Sequence, residues 1–149
     1  MQRLASETLQ ARVQRIQRLA AEGDPVGELG LAGLYAKGDG VPRSLPEAAK
    51  WCQKAAEAGL PLAQTWLGEM YDAGEAVPAD PAQAVKWYEK AEAKGFPPAQ
   101  FDLAVSMTLG AGTPTNYPGA LKLFKKAAEA GHHPSERPSH GNAYEGVSL

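Results

Sequence analysis

Residues 63–95 read AQTWLGEMYDAGEAVPADPAQAVKWYEKAEAKG, and related versions of this stretch lie directly before and after it. A shift of 36 positions in either direction brings the same residue types into register. The positions that agree in all three copies include Leu31, Leu67 and Leu103; Gly38, Gly74 and Gly110; Pro42, Pro78 and Pro114; Ala48, Ala84 and Ala120; and Gly59, Gly95 and Gly131. A fixed period of this size, without gaps between the copies, predicts a repeat architecture.

Each copy carries the start and stop signals of two helices. Glycine follows both helices, where it can adopt a left-handed conformation without steric cost. Ser44, Asp80 and Asn116 stand where a side-chain oxygen can cap the second helix. These signals predict first helices over 26–37, 62–73 and 98–109, and second helices over 45–58, 81–94 and 117–130. The fold class that follows is all-α, an α-solenoid of three helix-turn-helix repeats spanning 26–59, 62–95 and 98–131.

The segment 1–23 occupies the place of a second helix that has no first helix before it. Its apolar residues Leu9, Val13, Ile16, Leu19 and Ala20 lie near one side of a helix. In strict register Arg12 and Arg15 would take the buried places of Ala48 and Trp51. We therefore expect an N-terminal capping helix, slightly rotated, with a polar outer face. The arginines are either solvated or a contact for an acidic partner.

Composition limits the classes of function. The chain has 149 residues, 44% of them apolar, and a formal charge of -2, so no overall field attracts nucleic acid or an anionic membrane. No segment is apolar enough to be a secretory signal or a membrane span. We therefore expect a cytoplasmic protein. The single cysteine, Cys52, is expected to be a small core residue rather than a catalytic thiol.

The motif of the second copy resembles a known family. Leu67-Gly68-x-x-Tyr71, Gly74, Val77-Pro78, Ala84-x-x-Trp87 and a closing Gly95 are similar to the Sel1-like repeat, a relative of the tetratricopeptide repeat. The third copy departs from it with Ala104, Met107 and Leu123 where the second has Gly, Tyr and Trp. The resemblance implies a right-handed α-solenoid that serves as an adaptor or scaffold and binds proteins or peptides.

In tetratricopeptide-like arrays the first helices line a concave groove. The candidate binding residues are therefore the first-helix residues that point away from the Leu-Gly-x-x-Tyr face. At 100° per residue these are Leu29, Gly33, Ala36, Thr65, Glu69, Asp72, Phe101, Val105 and Thr108. The expected groove is acidic in its middle and apolar at its C-terminal end, which favours a basic or amphipathic peptide. Phe101 and Val105 are the strongest candidates, because apolar groups on a face not needed for stacking call for a covering partner. Alternatively, Phe101 folds over a neighbouring helix or is covered by the C-terminal tail.

Enzyme motifs are absent from the sequence. Some relatives have been discussed as penicillin-binding or β-lactam-hydrolysing proteins, but no serine here is followed three residues later by lysine. A nucleophile elbow, a phosphate loop and a zinc-binding His-Glu-x-x-His helix are also missing. We expect a non-enzymatic protein without cofactor or metal. Three histidines could gather a metal only if the tail folded back: His132, His133 and His140. A local patch of three lysines is too small to indicate nucleic-acid binding: Lys122, Lys125 and Lys126.

The tail, residues 132–149, is polar and contains Pro134 and Pro138, which favours a flexible extension. A short docked helix is the alternative, because Tyr144 could then cover Leu121 and Phe124 on the last repeat helix. If those two side chains stay uncovered, they could instead pair with a second copy of the chain, which would make the protein a self-associating structural module.

Overall fold

A computed structural model describes residues 8–132 as seven helices without a strand. The helices are α1 (Leu9–Ala21), α2 (Pro25–Lys37), α3 (Leu45–Glu57), α4 (Pro61–Ala73), α5 (Pro81–Glu92), α6 (Pro97–Leu109) and α7 (Tyr117–Glu129). The predicted repeat helices agree with these spans to within two residues at each boundary. Successive helices pack against one another in chain order, which confirms the all-α solenoid. The predictions for residues 133–149, including Tyr144, lie outside the described residues.

The three repeats close their hairpins with the same bonds. The side chains of Ser44, Asp80 and Asn116 accept hydrogen bonds from backbone N–H groups at the starts of α3, α5 and α7, at 3.3, 3.3 and 3.0 Å. The backbone N–H groups of the same three residues donate back to carbonyls near the ends of α2, α4 and α6 at 2.9 Å. One residue at each turn therefore starts the second helix and ties it to the first.

The capping helix α1 buries the repeat positions that α3 buries at Ala49, Cys52 and Ala56, so the expected rotation is not observed. Its buried residues are Val13, Ile16 and Ala20, which pack with Leu31 and Leu34 of α2. Arg12 and Arg15 remain at least partly exposed. Both guanidinium groups therefore stay out of the core, where an unpaired charge would cost several kcal/mol.

Two glycines allow close approach of neighbouring helices. A Cβ at Gly68 of α4 would lie 2.5 Å from Cε1 of Tyr88 on α5, and a Cβ at Gly27 of α2 would lie 2.5 Å from Cβ of Leu19 on α1. Neither gap could hold even an alanine without movement. The Gly of the Leu-Gly-x-x-Tyr motif is therefore a packing residue.

Cys52 is a core residue, as predicted. Its side chain is fully buried and its Sγ donates to the carbonyl of Ala63 at 3.3 Å. Burial raises the pKa of the Cys52 thiol, and the negative charge of Glu69 adds to that rise. A thiol held protonated in this way is a poor nucleophile.

Candidate functional site: the end face of the third repeat

The middle of α4 is buried on all sides. All residues from 63 to 70 are buried, including Thr65, which is 1% exposed, and Glu69, which is 7% exposed. Leu29 of α2 is also 1% exposed and belongs to the core formed with α3 and α4. The predicted groove is therefore not open at Leu29, Thr65 or Glu69, because all three side chains are buried.

The open part of the predicted surface lies towards the C-terminal ends of the first helices. Asp72 and Thr108 are exposed there, and Gly33, Ala36 and Val105 are partly exposed. The Thr108 hydroxyl donates to the Ala104 carbonyl at 2.9 Å, so its donor is already used within α6.

Acidic side chains gather around one phenol at the junction of the second and third repeats. The hydroxyl of Tyr88 donates to Oδ2 of Asp72 at 2.7 Å. Burial raises the pKa of Tyr88, and the charges of Asp102, Asp72 and Glu69 raise it further. The sequence predicted neither Tyr88 nor Asp102 as a residue of this site. Since Trp66 takes the place of Asp102 one repeat earlier, the period carried no signal for a carboxylate there.

An aromatic cluster lies at the other side of the third repeat. The ring of Phe101 on α6 meets the ring of Phe124 on α7 edge to face, with centroids 5.3 Å apart, and meets His132 in the same way at 5.4 Å. Phe101 thus folds onto the neighbouring helix, which was the alternative considered for it, while remaining partly exposed. It also lies in the same cluster as Phe124, although the sequence predicted that the two residues belong to different surfaces.

This region is an inter-repeat interface without a following repeat in the described part of the chain. Leu121 of α7 is 60% exposed, whereas Ala49 and Val85 at the same repeat position are 6% and 5% exposed. Phe124 is partly exposed, whereas its equivalents Cys52 and Tyr88 are buried. We call the surface formed by Phe101, Val105, Leu121 and Phe124 the end face.

A further exposed apolar residue, Leu109, lies at the end of α6 and is 71% exposed. The equivalents of Leu109 are Lys37 and Ala73, both exposed as well. This position is therefore solvent-facing in every repeat, and Leu109 is not part of an interrupted interface. Leu109 is not among the surface residues that the sequence predicted.

The chemistry of the end face is apolar with a basic edge. Lys122 and Lys125 are exposed beside Leu121 on α7. Within residues 8–132 no group of three His, Cys, Asp or Glu side chains could hold a metal ion. None of the seven helices is long and apolar enough to cross a membrane.

The model of the Sel1 repeat family matches this chain over residues 25–60, 61–96 and 97–132. No curated protein matches the chain.

Solved structures include two with more than 30% identity to this chain. One is the crystal structure of a protective antigen present in uropathogenic Escherichia coli strains, which displays an SLR fold. The antigen is 34% identical to this chain over 87% of this chain's residues, with a TM-score of 0.83. This chain spans only 28% of the length of that antigen. A Sel1 repeat protein from Oxalobacter formigenes is 35% identical over 84% of this chain and 94% of its own length, with a TM-score of 0.77.

A third structure shares the fold at lower identity. Helicobacter pylori cysteine rich protein B is 21% identical over 86% of this chain and 95% of its own, with a TM-score of 0.64.

Proposed function

Because this chain belongs to the Sel1 repeat family, whose members generally mediate protein–protein interactions, we propose that it is a non-enzymatic adaptor that binds a protein or peptide partner through its third repeat. Sel1 repeat homologues are typically non-enzymatic. The surface we assign to binding is the end face, in place of the open concave groove expected from the sequence.

The observation that carries this proposal is the difference in exposure between equivalent positions. Ala49 and Val85 are buried by the next repeat. Leu121, at the same position of the third repeat, is largely exposed. Contiguous exposed apolar side chains on a protein surface mark interaction sites. Phe101 and Phe124 supply the aromatic anchors that dominate binding energy at such sites.

A pull-down from the native lysate tests the adaptor proposal. The wild-type chain is compared with a Phe101→Ala/Val105→Ala double variant, after circular dichroism has established that both are equally helical. We expect proteins retained by the wild type and lost by the variant. The matched control is Leu109→Ala, which removes an exposed apolar side chain outside the end face and should retain the same proteins. Equal retention by all three chains would rule out the end face as the binding surface.

Self-association is a second candidate, favoured by the exposure of Leu121 beside Phe124. An apolar surface can pair with its own copy about a two-fold axis, and such pairing depends on protein concentration. Sedimentation velocity over a hundredfold range of concentration tests it. A mass that rises with concentration for the wild type but not for Leu121→Glu would support self-association, and a constant monomer mass would exclude it over that range.

A further inference from the structure

We propose that the end face binds a single amphipathic helix of a partner protein, seated on α7 as α4 is seated on α3 and α6 on α5. This inference rests on the proposed function and specifies the partner's structure. The end face continues an interface that the chain builds twice. At the first junction α4 covers Ala49 and Cys52 of α3. At the second junction α6 covers Val85 and Tyr88 of α5. The same two repeat positions of α7 carry Leu121 and Phe124, which are at least partly exposed.

The two internal junctions also indicate the side chain that the partner helix needs. At the first junction the small Ala49 and Cys52 share a core with the large Trp66 of α4. At the second junction the larger Val85 and Tyr88 pack with α6, where Asp102 replaces Trp66 and Ala104 lies in the same core. Large residues on the second helix are thus matched by a smaller residue on the incoming helix, as close packing requires.

The end face has large residues on α7, so the incoming helix needs a small one. At the second junction the small residue of the incoming helix is Asp102, beside a core in which the hydroxyl of Tyr88 donates to Asp72. Phe124 takes the place of Tyr88 in the third repeat and has no hydroxyl. The residue of the partner helix at the position of Asp102 should therefore be small and apolar, and alanine meets both requirements.

Within residues 8–132, a second copy of this chain has no first helix that could leave its own array without unfolding. The middle of α4 is buried within its own array, and Leu103 and Ala104 of α6 are buried as well. The first helix α2 is covered on one side by α1 and on the other by the core of the first junction. We therefore assign the helix to a different protein.

The probe for this proposal is a synthetic peptide based on α6. It comprises residues 96–110 with Asp102→Ala, acetylated, labelled with a fluorophore and extended by lysines for solubility. Lysines are chosen because Lys122 and Lys125 would attract an acidic extension for reasons unrelated to packing. The mismatched probe is the same peptide with Asp102→Trp, which reproduces Trp66. Fluorescence anisotropy is recorded while each peptide is titrated with the full chain.

We expect saturable binding of the alanine peptide and binding at least about tenfold weaker for the tryptophan peptide, since a bulky group against Phe124 overfills the junction. Leu121→Glu in the full chain should weaken binding of the alanine peptide at least about tenfold, because its carboxylate would be buried against an apolar helix. Leu109→Glu is the matched control and should bind as the wild type does. Both variants alter exposed side chains, and circular dichroism establishes that they remain folded.

Three results would overturn the proposal: no saturable binding of the alanine peptide, equal binding of both peptides, or binding unaffected by Leu121→Glu. If the lysate experiment loses proteins with the end-face variant while neither peptide binds, the adaptor function stands and the single-helix inference fails. If the wild type retains no proteins in the lysate experiment and binds no peptide, both fail. If sedimentation instead finds a dimer that Leu121→Glu dissociates and the peptide does not compete with it, the occupant is a second copy.

Discussion

The phenol of Tyr88 on α5 reaches across to α4 and donates its hydrogen to the carboxylate of Asp72 over 2.7 Å. The ring of Tyr88 lies against Gly68 of the same first helix. A single side chain therefore fixes the spacing of α4 and α5 by packing and their relative position by a polar bond. The third repeat has Phe124 at this position, so it keeps the packing and lacks the bond.

Removal of the Tyr88 hydroxyl should destabilise the second repeat. Tyr88→Phe loses a hydrogen bond to a carboxylate that remains solvated, which corresponds to a loss of about 1 kcal/mol in the free energy of unfolding. Urea unfolding followed by circular dichroism measures it. Tyr117→Phe, at an exposed position, is the control and should leave the midpoint unchanged. Equal midpoints for both variants and the wild type would mean that the bond contributes nothing.

Two glycines in first helices should respond to alanine in opposite directions. Gly68→Ala places a methyl group 2.5 Å from the Tyr88 ring and should lower the free energy of unfolding by about 1–3 kcal/mol. Gly33→Ala meets no atom within 4 Å and should raise it by about 0.5–1 kcal/mol, because alanine favours the helix. Thermal or urea unfolding of the two variants tests this. A stabilising Gly68→Ala would show that the motif glycine is not required for packing.

The helices were predictable because their signals are local and occur three times. The caps at Ser44, Asp80 and Asn116 and the glycines after each helix depend on a few neighbouring residues, so the period made each assignment support the others.

The binding surface was less predictable, because helix geometry gives the direction of a side chain but not what lies opposite. Thr65 and Glu69 were expected on an open face of their helix because they point away from the Leu-Gly-x-x-Tyr face, but both are buried. Phe101 shares the repeat position of Thr65 and is partly exposed only because no described helix lies beyond it. Exposure therefore depended on the position of a repeat in the array, which a periodic pattern cannot encode.

Glu28 should make stability depend on pH. Burial raises the pKa of this carboxyl, although Lys54 counteracts part of that rise. The folded state therefore holds the proton to higher pH than the unfolded state does, and the contribution of Glu28 to stability falls as the pH rises through its folded-state pKa. Below the unfolded-state pKa that contribution is at its maximum.

Glu28→Gln should therefore stabilise the protein near pH 7 and have a smaller effect near pH 4. The other repeats have glutamine at this position, and Gln64 Nε2 donates to the Ala56 carbonyl of the preceding helix at 3.1 Å. A similar bond to the end of α1 would contribute about 1 kcal/mol. Urea unfolding at both pH values measures the difference, with the exposed Glu22→Gln as a control. A gain that is independent of pH would assign the effect to the amide bond alone.

The same substitution at equivalent positions of α5 and α7 should have very different consequences for stability. Val85→Glu places a carboxylate in the junction between the second and third repeats and should cost about 4 kcal/mol or more, because the charge would be removed from water there. Leu121→Glu places the carboxylate on the largely exposed end face and should change the free energy of unfolding by about 0.5 kcal/mol or less. Urea unfolding of the two variants at a protein concentration at which the wild type is monomeric provides the comparison. Strong destabilisation by Leu121→Glu under those conditions would mean that the end face is covered by another part of the same chain, and a binding site for a partner helix would then have to be sought elsewhere.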